Sequence, residues 1–392
     1  MYKQAAIDIF LKSTTPSGFL ATAQGKENYD RVWSRDSAIT ALALLLTGAT
    51  DCYPTIKQSI LTLAGQQLEN GLIPSNVKEG ESANQQVSYG TLVGRVDAQT
   101  WWVIQSCLYL KVVSDEALKT YLKPKLLKTL ALLDAWEFNA RHLIYTPLGG
   151  NWADEYMLSG YTLYDNCLRY LSLHLFLEVW PEQQDLSSKK QQVYKALQVN
   201  FTTQNEPLEL QIHARAKNEW LAGSPNFFPA AFDAAQYAPF WDAAANGLAL
   251  LIGLENKGIH RYLENVLADE QTKNVPAFWP VIRPEDTAWK LLEQQYNYAF
   301  KNVPFHFHNG GSWPVMTGIL SLGLTASGQQ FVAAQLSKHY EQFLVETDQL
   351  AFSEYIAINE QKPGGKKAMC FSAAGYLLMQ ITPQQISTLL NL

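Results

Sequence analysis

One property limits the folds open to this chain more than any other: helical periodicity runs almost its whole length, broken by long loops of a repeating character. Stretches 37–46, 54–68, 98–112, 118–136, 162–179, 186–199, 243–251, 287–300, 315–324, 329–345 and 371–379 set apolar residues at i, i+3, i+4 or nearly without interruption. A further helix near the N-terminus and one at 259–267 bring the count to about a dozen. Strand-like alternation is rare, with 208–213 the best example. The connectors at 14–33, 71–94, 146–157, 223–241, 304–314 and 351–367 are long and rich in Gly, Pro, Asn and aromatic residues. Loops of that length inside a compact unit are commonly functional. Half a dozen of them, each preceding a helix, predict antiparallel helix pairs whose long loops converge on one face. The expected fold is therefore all-α, an (α/α)6 toroid with nearly all-apolar inner helices and amphipathic outer ones. No composition break or low-complexity linker divides the chain, so residues 1–392 read as one catalytic domain.

Composition narrows the function. Hydrophobic residues make up 47% and charged residues only 17%, which suits a large core. Aromatics reach 12% and often sit beside Gly, Asn or Asp, a placement that suggests a cleft lined by flat rings. The net charge is −6 and no basic stretch stands out, which excludes a phosphate-neutralising, nucleic-acid-binding surface. The longest apolar run, 38–49, is well short of the ~18 residues of a membrane span, so no membrane partner is expected. The N-terminus carries Asp8 in its only apolar stretch and lacks a secretory core. Cys52, Cys107, Cys167 and Cys370 are scattered, with no CxxC and no His at ligand spacing. A reduced, cytoplasmic, metal-free protein fits these features. Apolar faces on the outer helices would allow copies to pair as a homo-oligomer.

The chemistry-bearing residues lie in the aromatic loops. Asp154 sits in Gly149-Gly150-Asn151-Trp152-Ala153-Asp154-Glu155-Tyr156, and Glu354 in Phe352-Ser353-Glu354-Tyr355. Ring neighbours partly desolvate such carboxyls and raise their pKa, as an acid working near neutrality requires. Glycoside hydrolysis needs one carboxyl to protonate the leaving oxygen and a second to activate water or attack the sugar. Each alone also suits a helix N-cap or a loop ion pair. Trp33-Ser34-Arg35-Asp36 puts an Arg-Asp pair at a helix start behind an indole, and Arg95 to Trp102, with Asp97 and Trp101, repeats the recipe. An acidic residue favours a helix N-terminus for its own sake, and both readings hold together. In His306-Phe307-His308-Asn309-Gly310-Gly311-Ser312-Trp313-Pro314, two His at i, i+2 lack a third ligand at a telling spacing, so a polyol-binding His and Asn is preferred to a metal. Gly364-Gly365-Lys366-Lys367 is too short for a phosphate loop.

Together the motifs YDRVWSRDSAITALALLL (29–46), VDAQTWWVI (96–104), WADEYMLSG (152–160), FHNGGSWP (307–314) and SEY through GGKKAMCFSAAGYL (353–377) resemble, in order and rough spacing, the alkaline/neutral invertases. More loosely they are similar to the wider group of six-hairpin glycosidases. The resemblance implies an (α/α)6 barrel and an inverting glycosidase with no cofactor. By position it makes Asp154 the general acid and Glu354 the general base. It puts Asp36, Asp97, Trp101, His308, Asn309 and Trp313 around the sugar, with Trp33, Arg35, Tyr156 and Lys366 as further substrate-binding candidates. Departures are local. Glu-Tyr-Met-Leu-Ser-Gly follows Asp154 where invertases carry an Arg-Arg-Met-Gly-Ile type run, Ser353 replaces a Pro, and Val96-Asp97-Ala98-Gln99 replaces Asp-Ser-Gly-Leu. The acid and base chemistry is thus better supported than sucrose as substrate.

The expected function is inverting hydrolysis of a small α-glucoside, sucrose the first choice, with the two carboxyl groups roughly 6.5–9.5 Å apart. Another α-glycoside, such as a glycosylglycerate or a short α-1,6-branched oligosaccharide, is the alternative. Two other classes are a sugar 2-epimerase working through His213, His306 and His308, and a carbohydrate-binding protein without turnover.

Overall fold

A computed structural model describes residues 1–24, 29–78, 86–256, 258–268 and 274–392. Among them fifteen helices follow one another. They are α1 (Tyr2–Ser13), α2 (Ser34–Thr47), α3 (Tyr53–Ala64), α4 (Val96–Val112), α5 (Glu116–Ala135), α6 (Leu163–Val179), α7 (Gln184–Phe201) and α8 (Ala214–Ala222). Then come α9 (Ala243–Leu251), α10 (Ile259–Ala268), α11 (Trp289–Gln294), α12 (Pro314–Ala326), α13 (Gln330–Glu346), α14 (Cys370–Leu378) and α15 (Pro383–Leu390).

Helices α2, α4, α6, α9, α12 and α14 each pack on the next, and α14 closes back on α2. These six are the stretches that are apolar all round, and nearly every residue in them is buried. A helix with no polar face must be surrounded, and a ring of such helices enclosed by a second layer satisfies all of them. The amphipathic α3, α5, α7 and α13 bury one face each against that ring. This is the (α/α)6 toroid. The inner helices come close where side chains vanish: a Cβ on Gly247 of α9 would lie 2.5 Å from the Leu320 Cα of α12, and one on Gly318 of α12 would lie 2.6 Å from the Gly375 Cα of α14.

Short strands pin the loops that lead into the inner helices. Val32–Trp33, just before α2, pairs antiparallel with Asn76–Lys78 in the register Trp33 to Asn76, and that strand pairs in turn with Gln86–Ser88. Tyr161–Thr162 and Trp241–Asp242 lead into α6 and α9 in the same way. Tyr355–Ala357 and Lys362–Gly364 form a hairpin of their own. At the other end of the ring, α15 packs across α2, α4 and α12. No helix among the described residues is long and apolar enough to cross a membrane.

Two expectations need correction. The stretch 208–213 is a single 3-10 turn, Leu208–Leu210, because no strand pairs with it and Asn200 ties down its backbone. The stretch 287–300 yields only α11; beyond it Gln295 and Asn302 turn their amides to the backbone of residues 154–156, which a continued helix would not allow. Helices α8 and α15 were not anticipated.

Candidate active site

The first turns of the inner helices collect carboxylates. Asp36, Asp97 and Asp165 lie in the first turns of α2, α4 and α6, and Asp242 caps α9 by accepting from the Ala245 N–H. All four are buried. The positive end of a helix dipole favours an acid there, yet burial opposes the charge. Burial pushes Asp36 up to about 6, with the Arg35 guanidinium pulling the other way, and pushes Asp242 up to about 7. Burial likewise raises Asp165, with Asp97 adding to the rise.

Above this layer lies a cavity of about 650 Å³, within the ~300–1,000 Å³ usual for a small-molecule site. Trp33, Arg35 and Asp36 at the start of α2, Arg95 before α4, Trp313 before α12 and Phe371 in α14 line it. Asp154, Glu354, His308 and Lys366 line it too, so both expected catalytic carboxyls reach one hollow.

Glu354 is 7% exposed. Its Oε1 accepts from the Tyr29 hydroxyl at 2.7 Å and its Oε2 from the Lys366 backbone N–H at 3.0 Å, while its own N–H donates to the Lys366 carbonyl. Gly365 makes this clasp possible: at φ +73°, a Cβ would run into the Glu354 carboxylate. Burial raises the Glu354 pKa against the lowering effect of the Tyr29 and Lys366 hydrogen bonds. Asp154 is held differently. The Arg95 guanidinium donates to its Oδ2 at 2.5 Å and also to the Gly149 carbonyl, clamping both ends of the loop, while Gln295 donates to the Asp154 carbonyl at 3.3 Å.

The aromatic wall is built around Trp313. Its ring lies nearly parallel to Tyr355, centroids 5.9 Å apart, and to His308 at 5.2 Å, and its indole N–H donates to the Phe307 carbonyl. Burial first, then Lys301, Arg35 and Arg95, hold the His308 pKa well below its ordinary value, so the ring is neutral at pH 7.

Four expected substrate contacts do not line the cavity. Asp97 is buried and accepts from Arg35 at 2.8 Å, fixing that guanidinium from below. Trp101 lies a full turn deeper in α4, fully buried, and donates to the Tyr164 hydroxyl at 2.8 Å. Tyr156 is fully buried and stacked on Phe278 at 4.3 Å. Asn309 spends its amide on Ile282, accepting from that residue's N–H and donating to its carbonyl, both at 2.8 Å, and donates to the Asn302 carbonyl as well. All four are supports. The histidines of the epimerase reading do not converge: His306 faces Glu360 at 3.4 Å, and His213 bonds the Ala234 carbonyl.

Tyr29, Trp152, Glu155, Lys301, Phe307 and Tyr355 join the lining without having been singled out. Tyr29, Trp152, Glu155, Phe307 and Tyr355 all fall within the resembling motifs; Lys301 has no local signal. A larger cavity of about 1060 Å³ opens at the opposite end, at the C-terminal ends of α9 and α12 and beside α15. Among the described residues Glu255 is the one acidic side chain that lines it, so no pair of carboxyls meets there among them. Among the described residues, no three His, Cys, Asp or Glu side chains come together as metal ligands.

Solved structures of carbohydrate-cleaving proteins share this architecture. Mannosylglycerate hydrolase from Thermus thermophilus, determined with glucose, matches with a TM-score of 0.65 at 13% identity, covering 97% of this chain and 100% of that one. A bacterial glucoamylase determined with acarbose matches with a TM-score of 0.64 at 17% identity, covering 99% and 57%. The helical ring is that of the six-hairpin fold class. Within it, the chain belongs to the alkaline and neutral invertase family, which matches residues 8–205 and 211–385. A probable alkaline/neutral invertase D of Arabidopsis thaliana is 22% identical, covering 90% of this chain and 75% of its own. Cytosolic invertase 1 of Oryza sativa subsp. japonica is 23% identical, covering 90% and 71%.

Proposed function

We propose that the cavity hydrolyses the glycosidic bond of a small α-glucoside with inversion, sucrose being the first choice. One observation carries this reading: Asp154 and Glu354, two hundred positions apart, line one sugar-sized hollow with Trp33 and Trp313. Asp154 gives its proton to the glycosidic oxygen, with Arg95 holding Oδ2 and leaving Oδ1 to the substrate. Glu354, oriented by Tyr29 and Lys366, takes a proton from the water that attacks the anomeric carbon from the opposite face. Charge builds on the ring in an oxocarbenium-like transition state, and Asp36 accepts hydrogen bonds from ring hydroxyls below it. Trp33 and Trp313 cover the apolar face of the sugar, and Arg35, His308 and Lys366 complete its surround. The chemistry needs only protons and water, so no cofactor is invoked. Four buried, unpaired cysteines and the cytosolic designation of the rice relative fit a cytoplasmic setting.

The test is release of glucose and fructose from sucrose by the purified protein, with the first-formed glucose anomer read by NMR. Inversion of an α-glucoside gives β-glucose. Asp154→Asn and Glu354→Gln should each lower kcat by about 10²–10⁴-fold; wild-type rates in both variants would overturn the assignment. A glycosylglycerate is the second reading, favoured by the whole-chain likeness to a mannosylglycerate hydrolase. Inertness to sucrose with turnover of that class would establish it.

A further inference from the structure

Glu155 stands next to the proposed acid and has no part in the scheme above. It is 4% exposed and lines the same cavity. Its backbone is fixed, since its carbonyl accepts from Asn302 at 2.6 Å and the flanking carbonyls of Asp154 and Tyr156 accept from Gln295. Its Oε1 is 3.4 Å from the Asn297 amide and 3.6 Å from the Lys301 ammonium. Its Oε2 is buried and has no hydrogen-bond partner among the described residues. A buried carboxylate oxygen with no donor is costly to keep. An orphaned oxygen on a side chain that lines a cavity is explained when a ligand brings the missing donor.

Two further facts say what the donor belongs to. Asp154 meets the leaving-group oxygen, so the side chain of the adjacent residue is available to the same half of the substrate. Of the cations that line the cavity, Arg95 is engaged by Asp154, Arg35 by Asp97, and Lys301 by Glu155 and by the Phe307 ring face at 4.6 Å. An anionic leaving group would thus meet the Glu155 carboxylate and cations already paired with carboxylates.

We propose that Glu155 accepts a hydrogen bond from a hydroxyl of the leaving group, and thereby selects neutral, hydroxyl-bearing leaving groups over carboxylate-bearing ones. This rests on the hydrolase reading and chooses within it. Burial is the largest influence and raises the Glu155 pKa; Lys301 pulls it down, Asp154 adds to the rise, and hydrogen bonds from Asn297 offset only part of it, which fits a carboxyl with acceptor capacity to spare.

The experiment compares the full-length protein with Glu155→Met, which removes the acceptor, and Glu155→Gln, which removes only the charge. Substrates are sucrose and the α-glucosides of glycerol (at its central oxygen), 2-propanol and glycerate. Glu155→Met should raise KM for sucrose about tenfold, the size of one lost charged hydrogen bond, with kcat much less affected. Glu155→Gln should narrow the gap between the glycerol and glycerate glucosides. The wild type alone reads the same contact if a variant fails to fold, because glyceryl glucoside should be cleaved at least tenfold better than its deoxygenated 2-propyl counterpart. Wild-type KM values in both variants, or equal wild-type rates on those two glucosides, overturn this proposal and leave the hydrolase reading intact. A wild type inert to every glucoside overturns both.

Discussion

Tyr29 shows how a single hydroxyl tunes the chemistry. Its O–H donates to Glu354, the proposed base, and so stabilises the ionised carboxylate, offsetting part of the rise that burial causes. Removing it leaves burial less opposed. In Tyr29→Phe the Glu354 pKa therefore climbs, and the acidic limb of the kcat/KM profile, which follows ionisation of the base, should move to higher pH. A pH–rate profile measures this; an unmoved limb would count against Glu354 as the base. Trp101 is the contrasting case. It and Tyr156 belong to the residue types that line sugar clefts, so composition alone could not separate wall from foundation. What separates them is depth along the helix, and a motif does not encode depth. Trp101→Phe should therefore lower the unfolding midpoint, through loss of the Tyr164 bond, while KM stays within about twofold of wild type.

At the scale of elements, glycine contacts and caps decide how the ring holds together. Gly318→Ala drives a methyl into the α14 backbone at Gly375, and overpacking of this kind typically costs about 1–3 kcal/mol. Urea unfolding should register that loss. Helix α15 begins with a capping box in which the Thr382 hydroxyl accepts from the Gln385 N–H and the Gln385 side chain answers at the Thr382 N–H. Thr382-Pro383-Gln384-Gln385 is a readable start signal, so α15 was open to detection from the sequence. The paired strands before the inner helices were not. Each spans two or three residues, too few to display alternation, and each exists only because a partner dozens of positions away lies beside it. Long apolar helices were the legible part because their pattern is local and extended. That Asp154 and Glu354 reach the cavity was legible because they stand in glycine- and aromatic-rich loops. Lys301 sits in a polar stretch without a motif and reaches the cavity only through tertiary folding.

For the molecule as a whole, the buried acids at the head of the ring make stability depend on pH. Asp242, near 7 when folded against an ordinary aspartate near 4 when unfolded, keeps its proton in the folded state over a range where the unfolded chain has lost it. The sign follows: its contribution is fully present below about pH 4 and lost as pH rises through 7. Asp242→Asn keeps the cap and removes the titration. The fall in unfolding free energy between pH 5 and pH 7 should be smaller in that variant by about 2 kcal/mol, at ~1.4 kcal/mol per pH unit crossed. Parallel urea titrations at the two pH values test it. The tight crossings of α9 on α12 and of α12 on α14 carry a last consequence. With the inner helices closed on one another that tightly, the mouth of the 650 Å³ cavity is the route that the hydrolase reading gives to sugar and products alike.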